Sequence, residues 1–255
     1  ALNRVSVWAK TWQLTINSTK CNVLRIVNPR CKNKSDIVYD LNGSSLKVLS
    51  VVKDLGVAVD KNLRFDNHIS SVVHKSLQRA NLILKCFQSR DRSLLMKAFK
   101  VYVRPLLEYA TPVWSPHFMY LILKIEHVQR SFTKRLFGLK TITYTDRLKQ
   151  LEIDTLERRR LIYDLCMCFK IIHGYNDTCL DMNRMHLEGR PNNTRGHNLK
   201  LAKEMCRTDM LRFFFCNRIC TVWNSLPLDV VNAPSVNSFK KRVSKFNLDR
   251  FLTLK

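Results

Sequence analysis

The stretch LLMKAFKVYVRPLLEYATPVWSPHFMYLILKIEHVQRSFTKRLFGL, residues 94–139, is the segment around which the rest of the chain is organised. Its second half predicts a helix, because apolar residues recur there at helical spacing and form one stripe. The stripe consists of Leu121, Ile125, Val128, Phe132, Leu136 and Leu139. His127, Arg130 and Lys134 fall on the opposite face. We predict that this basic face meets phosphate, and a solvated face without a ligand is the alternative.

The charge balance indicates a polyanionic partner. The chain has 255 residues, with 44 Lys and Arg against 20 Asp and Glu, and a formal net charge of +24. This excess is larger than solubility requires, so nucleic acid is the first candidate. A hydrophobic content of 45% is sufficient for a substantial core in one or two domains.

The cysteines predict the redox environment of the protein, and the hydrophobic segments indicate whether it has a membrane partner. Nine cysteines at irregular spacing favour free thiols in a reducing, intracellular environment over a disulfide framework. Charged residues interrupt every apolar segment before it reaches the roughly 18 residues of a membrane helix, so we expect no membrane partner. The sequence begins at Ala1 directly on an amphipathic segment, and we expect that an upstream part is missing.

The period of the hydrophobic pattern changes near residue 65. Before it, an amphipathic helix with its apolar face against a sheet is followed by short strand-like runs. That face comprises Leu2, Val5, Trp8, Ala9 and Trp12. Asn42-Gly43 predicts a hairpin turn, because both residues tolerate positive φ, and Gly56 marks a bend or a close backbone approach. After Asp66 the pattern is helical almost throughout.

This change of period predicts an α+β fold that is predominantly α. A small N-terminal helix plus antiparallel sheet occupies residues 1–65, a helical bundle residues 66–140, and a helical C-terminal region residues 141–255. Glycine, proline and asparagine are concentrated at residues 181–197, which we predict to be a mobile loop.

Several motifs resemble one polymerase family. V-x-P-x-L-E-Y at 103–109, V-W-S-P at 113–116 and I-E-x-V-Q-R-x-F-T-K-R-L at 125–136 resemble the thumb region of reverse transcriptases from non-LTR retrotransposons, the LINE-type elements of the jockey and chicken-repeat kind. W-x-x-x-W-x-L-x-I-N-x-x-K at 8–20 looks like palm motif D, and residues 54–69 are similar to motif E, the primer grip. R-F-F-F-C-N-R-I-C-x-V-W-N-S-L-P at 212–227 and S-V-x-S-F-K-K-R-V at 235–243 resemble the tail. The resemblance covers nearly the whole chain.

The resemblance implies the end of the palm, the thumb and the C-terminal tail of an RNA-directed DNA polymerase. The implied partners are an RNA template, an RNA–DNA hybrid and a DNA target, met in the nucleus or cytoplasm. The nucleic-acid contacts suggested by the resemblance together with the basic helix faces are Asn17, Lys20, Gly56, Lys75, Arg79, His127, Arg130 and Lys134. Lys20 would protonate pyrophosphate in the intact enzyme, and a solvated lysine is the alternative.

The catalytic metal site of the resembled family lies outside this sequence. In that family two aspartates ahead of motif D hold Mg²⁺, one of them in an Ala-Asp-Asp turn. The sequence contains no such turn, and two-metal phosphoryl transfer needs clustered carboxylates. We therefore expect no cofactor in this chain, Mg²⁺ in the intact parent enzyme, and no synthesis by this chain alone.

Three consecutive arginines, Arg158, Arg159 and Arg160, follow a capping-box pattern from Asp154 to Glu157 that opens a helix. Three positive charges at a helix N-terminus interact unfavourably with the helix macrodipole. The arginines should therefore have another role there. Phosphate contact is one such role, and an interdomain salt bridge is the alternative.

One spacing resembles a metal site: Cys166-x-Cys168-x4-His173-x5-Cys179 is similar to the zinc knuckle that some retroelements carry. Its first and last spacings differ from the knuckle, and residues two apart on a helix point in different directions. Cysteine as a small core hydrophobe is the simpler interpretation. A zinc-dependent nucleic-acid binder, and a retroelement-derived basic module that binds RNA or protein, stand as alternatives to a polymerase fragment.

Overall fold

The computed structural model describes residues 2–26, 37–175 and 197–254. The chain divides into two compact units, residues 1–68 and 69–255. Short strands lie in the first unit and helices dominate the second, so the predicted α+β, predominantly α fold class is confirmed. The predicted boundary near residue 140 stays a prediction.

In its described part, the first unit contains one α-helix and six short strands. These elements are α1 (Leu2–Thr11), β1 (Asn22–Leu24), β2 (Asp40–Leu41), β3 (Ser44–Ser45), β4 (Lys47–Leu49), β5 (Val51–Asp54) and β6 (Val57–Asp60), with a 3-10 turn at Ser18–Lys20. The β2–β3 and β5–β6 pairs are antiparallel, as predicted, whereas β1 and β4 pair in parallel. The strands thus form three pairs instead of one antiparallel sheet.

Two tight turns connect the antiparallel pairs. Asn42 (φ 54°) and Gly43 (φ 77°) join β2 to β3, and Leu55 (φ 42°) and Gly56 (φ 87°) join β5 to β6. A two-residue hairpin turn with positive φ at both positions matches the twist of the flanking strands. The side chain of Asp40 accepts a hydrogen bond from the Gly43 nitrogen at 2.9 Å. The sequence predictions at Asn42-Gly43 and Gly56 are confirmed.

The predicted apolar face of α1 is only partly covered. Ala9 is buried, but Trp8 is 55% and Trp12 is 65% exposed. The adjoining strand β2 is two residues long and offers too little surface to cover both indoles. For these two tryptophans the prediction of packing against a sheet was wrong.

The second unit is helical in its described part. Its helices are α2 (Asp66–Cys86), which begins in the first unit, α3 (Arg92–Ala98), α4 (Arg104–Glu108), α5 (Thr111–Trp114), α6 (Met119–Lys134), α7 (Tyr144–Gln150), α8 (Leu156–Ile172), α9 (Asp209–Arg212), α10 (Phe215–Trp223), α11 (Leu228–Val231) and α12 (Val236–Lys245). A 3-10 turn follows at Asp249–Phe251.

Pro105 perturbs the helix that contains it without ending it. A π-helical turn at Phe99–Val103 precedes α4, and Pro105 is the second residue of α4. A proline ring collides with the carbonyl four residues earlier in a regular helix, and a wider turn relieves that collision.

The central helix of the second unit is α8, which packs against α5, α6, α10 and α12. Its buried residues include Leu165 and Phe169. The apolar stripe of α6 and its continuation, from Leu121 to Leu139, is buried at every predicted position. The predicted apolar stripe of α6 is therefore confirmed.

Candidate nucleic-acid interface

Two long helices, α2 and α6, lie side by side and run in the same direction. The Lys124 ammonium donates to the Ser70 hydroxyl at 2.7 Å, and the Arg135 guanidinium donates to the Asn81 side-chain oxygen. The partners in each pair are 54 residues apart in sequence. Because the two contacts are separated by about three helical turns on both helices, the helices must be parallel.

The outward sides of these helices are basic. His127, Arg130 and Lys134 are exposed on α6, opposite the buried stripe. On α2, where Ile69, Val73, Ala80 and Ile83 are buried, the exposed side chains include Lys75 and Arg79. We call the exposed sides of the two helices the α2–α6 face. Its basic residues are His74, Lys75, Arg79, Lys85, Lys124, His127, Arg130, Lys134 and Arg135.

Carboxylates are missing from the middle of the α2–α6 face. The two helices contain two acidic residues, Asp66 and Glu126. Asp66 is the first residue of α2 and lies 3.2 Å from the Arg64 guanidinium, whereas Glu126 is fully buried on the other side of α6. A surface of one charge sign concentrates a polyanion beside it.

A buried polar network holds α6 from the opposite side. Glu126 accepts hydrogen bonds from the Leu156 backbone nitrogen at 2.9 Å and from the Tyr144 hydroxyl. The Gln129 amide donates to the Tyr144 hydroxyl and to the Asp154 carbonyl, each at 3.0 Å. Burial raises the pKa of Glu126 and, together with the neighbouring carboxylate, raises the pKa of Tyr144. The network fixes the rotation of α6 and hence the direction of its basic side.

Arg130 is supported by an aromatic ring. Its guanidinium lies 4.8 Å from the centroid of the Tyr144 ring, and its carbonyl accepts a hydrogen bond from Arg147 at 3.0 Å. A cation over an aromatic face keeps its charge while it loses freedom of movement. Arg130 is therefore an ordered cation of the α2–α6 face.

The first two residues of the arginine triplet bind other residues of the chain. Arg158 donates to the carbonyls of Ser244 and Phe246 at 2.9 and 3.1 Å, and it forms an ion pair with Asp154 at 3.2 Å. Arg159 makes two hydrogen bonds to the Glu108 carboxylate.

The third arginine, Arg160, is only 2% exposed, and burial lowers its pKa. Arg158, Arg159 and Arg160 are therefore not part of the α2–α6 face. Arg158 and Arg159 form salt bridges, as in the alternative prediction, but to Asp154 and Glu108 of the same unit and not between the two units.

The start of α8 differs from the predicted capping box. Thr155, not Asp154, is the N-cap residue, and its side chain accepts from the Arg158 nitrogen at 3.1 Å. Glu157 does not reach back to the cap but accepts from the Thr253 and Leu254 nitrogens at 2.9 and 2.8 Å. The capping-box assignment was wrong by one residue, and Glu157 instead holds the C-terminal segment.

The candidate residues of the first unit lie in turns. The Asn17 side chain caps the 3-10 turn by accepting from the Thr19 nitrogen at 3.0 Å. Lys20 is exposed at the end of this turn, and Gly56 is exposed between β5 and β6. The role of Lys20 as a general acid stays a prediction.

The zinc-like spacing falls in a hydrophobic core. Cys166 and Cys168 are buried among α8, α10 and α12, and burial raises the pKa of Cys168 well above its usual range. A His173 ring nitrogen is 3.1 Å from the Val231 carbonyl oxygen. Cys179 lies outside the described residues. Among the described residues no group of three His, Cys, Asp or Glu could hold a metal ion.

Two further sequence predictions concern the loop at residues 181–197 and membrane-spanning helices. Residues 181–196 of the predicted mobile loop lie outside the described residues, and His197 at its end is buried. Among the helices in the described ranges, none is long and apolar enough to cross a bilayer.

Comparison with known proteins relates part of the chain to mobile elements. An uncharacterized protein of Caenorhabditis elegans is 30% identical over 126 residues, which are 48% of this chain and 64% of that protein. The RNA-directed DNA polymerase from mobile element jockey of Drosophila funebris is 28% identical over 142 residues, which are 54% of this chain and 15% of that protein. The probable RNA-directed DNA polymerase from transposon BS of Drosophila melanogaster is 27% identical over 122 residues, 45% of this chain and 13% of that protein.

The matches with named proteins relate part of the chain to one class of polymerase. Over about half of its length, the chain is related to RNA-directed DNA polymerases of mobile elements. The matched stretch covers less than two thirds of each of these relatives. No family model matches the chain, and no solved structure matches it.

Proposed function

We propose that this chain is the end of the palm, the thumb and the C-terminal tail of a non-LTR retrotransposon reverse transcriptase, and that it holds nucleic acid without synthesising DNA. The observation that carries the proposal is the α2–α6 face. Two parallel helices present Lys75, Arg79, Arg130 and Lys134 outward, and beyond Asp66 at the start of α2 neither helix exposes a carboxylate.

The proposed contacts are to the phosphate and sugar backbone. Lysine and arginine on a helix surface neutralise phosphates and position the nucleic acid, but they do not read its sequence. An RNA–DNA hybrid is recognised mainly by its shape and backbone, which suits a face without exposed aromatic residues at its centre. Template–primer hybrid, RNA template and target DNA are therefore the expected partners, with little dependence on sequence.

The proposal assigns catalysis to the parent enzyme and not to this chain. Two-metal phosphoryl transfer needs paired carboxylates for Mg²⁺, and the sequence has no Ala-Asp-Asp turn. Incubating the purified chain with primer, template, nucleotides and Mg²⁺ or Mn²⁺ should give no extension. Incorporation that persists after controls for contaminating polymerase would contradict this part of the proposal.

The binding surface is tested by salt dependence. The double variant Arg130→Ala/Lys134→Ala removes two cations from the face, so the slope of log K against log[salt] for a hybrid should decrease in magnitude by about 1–2. The matched control is Lys47→Ala/Lys53→Ala, which removes the same charge from exposed positions of the first unit. If the first variant keeps the affinity and slope of the unmodified chain while its circular dichroism is unchanged, the α2–α6 face is only a solvated surface.

A second candidate function is a basic nucleic-acid-binding or protein-binding module without a polymerase. A match of 126 residues makes up 64% of the worm relative, whereas a match of 142 residues makes up only 15% of the jockey polymerase, so sequence related to this chain also occurs in a much shorter protein. The reading frame upstream of Ala1 distinguishes the two candidates. An Ala-Asp-Asp turn in that frame supports the polymerase, and its absence from an intact transcript supports the module.

A further inference from the structure

We propose that α12 carries a second nucleic-acid-binding surface, separate from the α2–α6 face. This α12 face consists of Lys240, Lys241, Arg242 and Lys245. Neither the resemblance nor the relatives assign a role to this helix. The inference stands independently of the α2–α6 face.

The orientation of α12 is fixed by the hydrophobic core. Phe239 and Val243 are fully buried, and the Phe239 ring lies 4.5 Å from the Phe169 ring and 5.9 Å from the Trp223 ring. Since buried residues occupy one side of the helix, the remaining side faces solvent. The four basic side chains are exposed there with Asn237 and Ser244, and the helix contains no acidic residue.

One residue of this face also contacts an aromatic ring of α8. The Lys240 ammonium lies 5.5 Å from the centroid of the Tyr163 ring. A cation over an aromatic face keeps its charge. Lys240 therefore remains a cation at the edge of the α12 face that adjoins α8.

Structural roles account for only part of this charge. Arg242 donates to the Asp229 carbonyl, and a cation in the last helical turn is favourable for the macrodipole. Lys241 and Lys245 are one turn apart on the exposed side and form no ion pair with any residue that the structure describes. Two adjacent free ammonium groups repel each other, and an external anion would relieve that repulsion.

The available side chains favour nucleic acid over other anionic partners. A basic amphipathic helix binds a membrane by burying its apolar side, and here that side already lies in the core. Protein interfaces are centred on aromatic or arginine anchors and are poor in lysine, whereas three of the four residues of this face are lysines. Flexible ammonium groups on an exposed helix suit phosphates of a nucleic-acid backbone.

The test uses the full chain, a fluorescent RNA–DNA hybrid and a series of KCl concentrations. Lys241→Ala/Lys245→Ala should weaken binding several-fold and lower the magnitude of the salt slope by about 1–2. Combined with Arg130→Ala/Lys134→Ala, the two decreases should add, because the surfaces are separate. Lys47→Ala/Lys53→Ala is the control for net charge, and Lys241→Gln/Lys245→Gln repeats the test with strong helix formers.

The possible outcomes separate this inference from the proposed function. A loss with the α12 variants but not with Arg130→Ala/Lys134→Ala supports the α12 face and rejects the α2–α6 face. An unchanged slope with both α12 variants overturns the inference, whatever the other variant shows. Loss of poly-glutamate binding with hybrid binding retained would identify an acidic protein as the partner and would also overturn it.

Discussion

The carboxylate of Glu126 accepts a hydrogen bond from the backbone nitrogen of Leu156 at 2.9 Å. Glu126 lies on the buried side of α6, and Leu156 is the first residue of α8. The first amides of a helix have no partner within that helix, and a negative charge is favourable at this end. This contact therefore joins the helix of the basic face to the central helix of the second unit.

Replacing Glu126 with alanine should destabilise the fold. The substitution leaves the Leu156 amide and the Tyr144 hydroxyl without their acceptor and removes a carboxylate that balances the buried Arg160. We expect a loss of about 3 kcal/mol in the free energy of unfolding, measured by urea denaturation. Glu204→Ala, at an exposed position, should stay within about 0.5 kcal/mol of the unmodified chain. Equal urea midpoints for both variants would show that the Glu126 carboxylate is dispensable.

The same carboxyl group should make stability depend on pH. Burial raises the pKa of Glu126 above its ordinary value of 4.5, so the folded chain holds this proton more tightly than the unfolded chain. The contribution is greatest below the ordinary pKa and is lost as pH rises through the higher, folded pKa. Glu126→Gln cannot titrate there. Its unfolding free energy should decline less between about pH 4 and pH 8 than that of the unmodified chain, and parallel profiles would contradict the prediction.

Replacing Arg159 should lower the stability of the fold, whereas replacing Arg79 should weaken the salt dependence of nucleic-acid binding. Arg159 is held by Glu108 and Tyr163, so Arg159→Ala should lower the unfolding free energy by about 1–3 kcal/mol and leave the salt slope of hybrid binding unchanged. Arg79 is exposed on α2, so Arg79→Ala should reduce the slope by about 1 with little change in stability. A reduced slope for Arg159→Ala would restore phosphate contact by the arginine triplet as the explanation.

Cysteine labelling should follow burial. Cys86 is exposed, whereas Cys166, Cys168, Cys216 and Cys220 are buried. Because the thiolate is the reactive form, iodoacetamide should modify Cys86 in the native chain and the four buried residues only after unfolding. Peptide mass mapping measures both rates. Rapid labelling of Cys166 and Cys168, or one equivalent of zinc retained after dialysis, would contradict the core interpretation of these cysteines.

The sequence predicted those features that depend on local pattern. The apolar stripe of α6 repeats at helical spacing over four turns, and the turn at Asn42-Gly43 requires residues that accept positive φ. The parallel pairing of β1 with β4 was not predicted, because both strands are three residues long and carry no signal for their partner. The pattern of α1 predicted one buried apolar face, but Val5, Trp8 and Trp12 of that face are exposed. The pattern contained no information on how much neighbouring surface could cover them.

The arginine triplet shows why a run of charge is a weak functional signal. Successive residues of a helix point about 100° apart, so three adjacent arginines meet three environments. Here Arg158 reaches Ser244, Arg159 reaches Glu108, and Arg160 is buried. Their partners are distant in sequence. By contrast, Arg130 and Lys134 are four residues apart and remain on one exposed face.

The common spacing of 54 residues between Ser70 and Lys124 and between Asn81 and Arg135 sets limits on changes in chain length. Deleting one residue between Lys124 and Arg135 would rotate Arg135 by about 100° and shift it by about 1.5 Å along the helix, away from Asn81. An inserted residue in the exposed turn at residues 88–91 would leave both pairs aligned. Insertions that preserve the basic face should therefore be tolerated in the exposed turn between α2 and α3 and be excluded from α2 and α6 themselves.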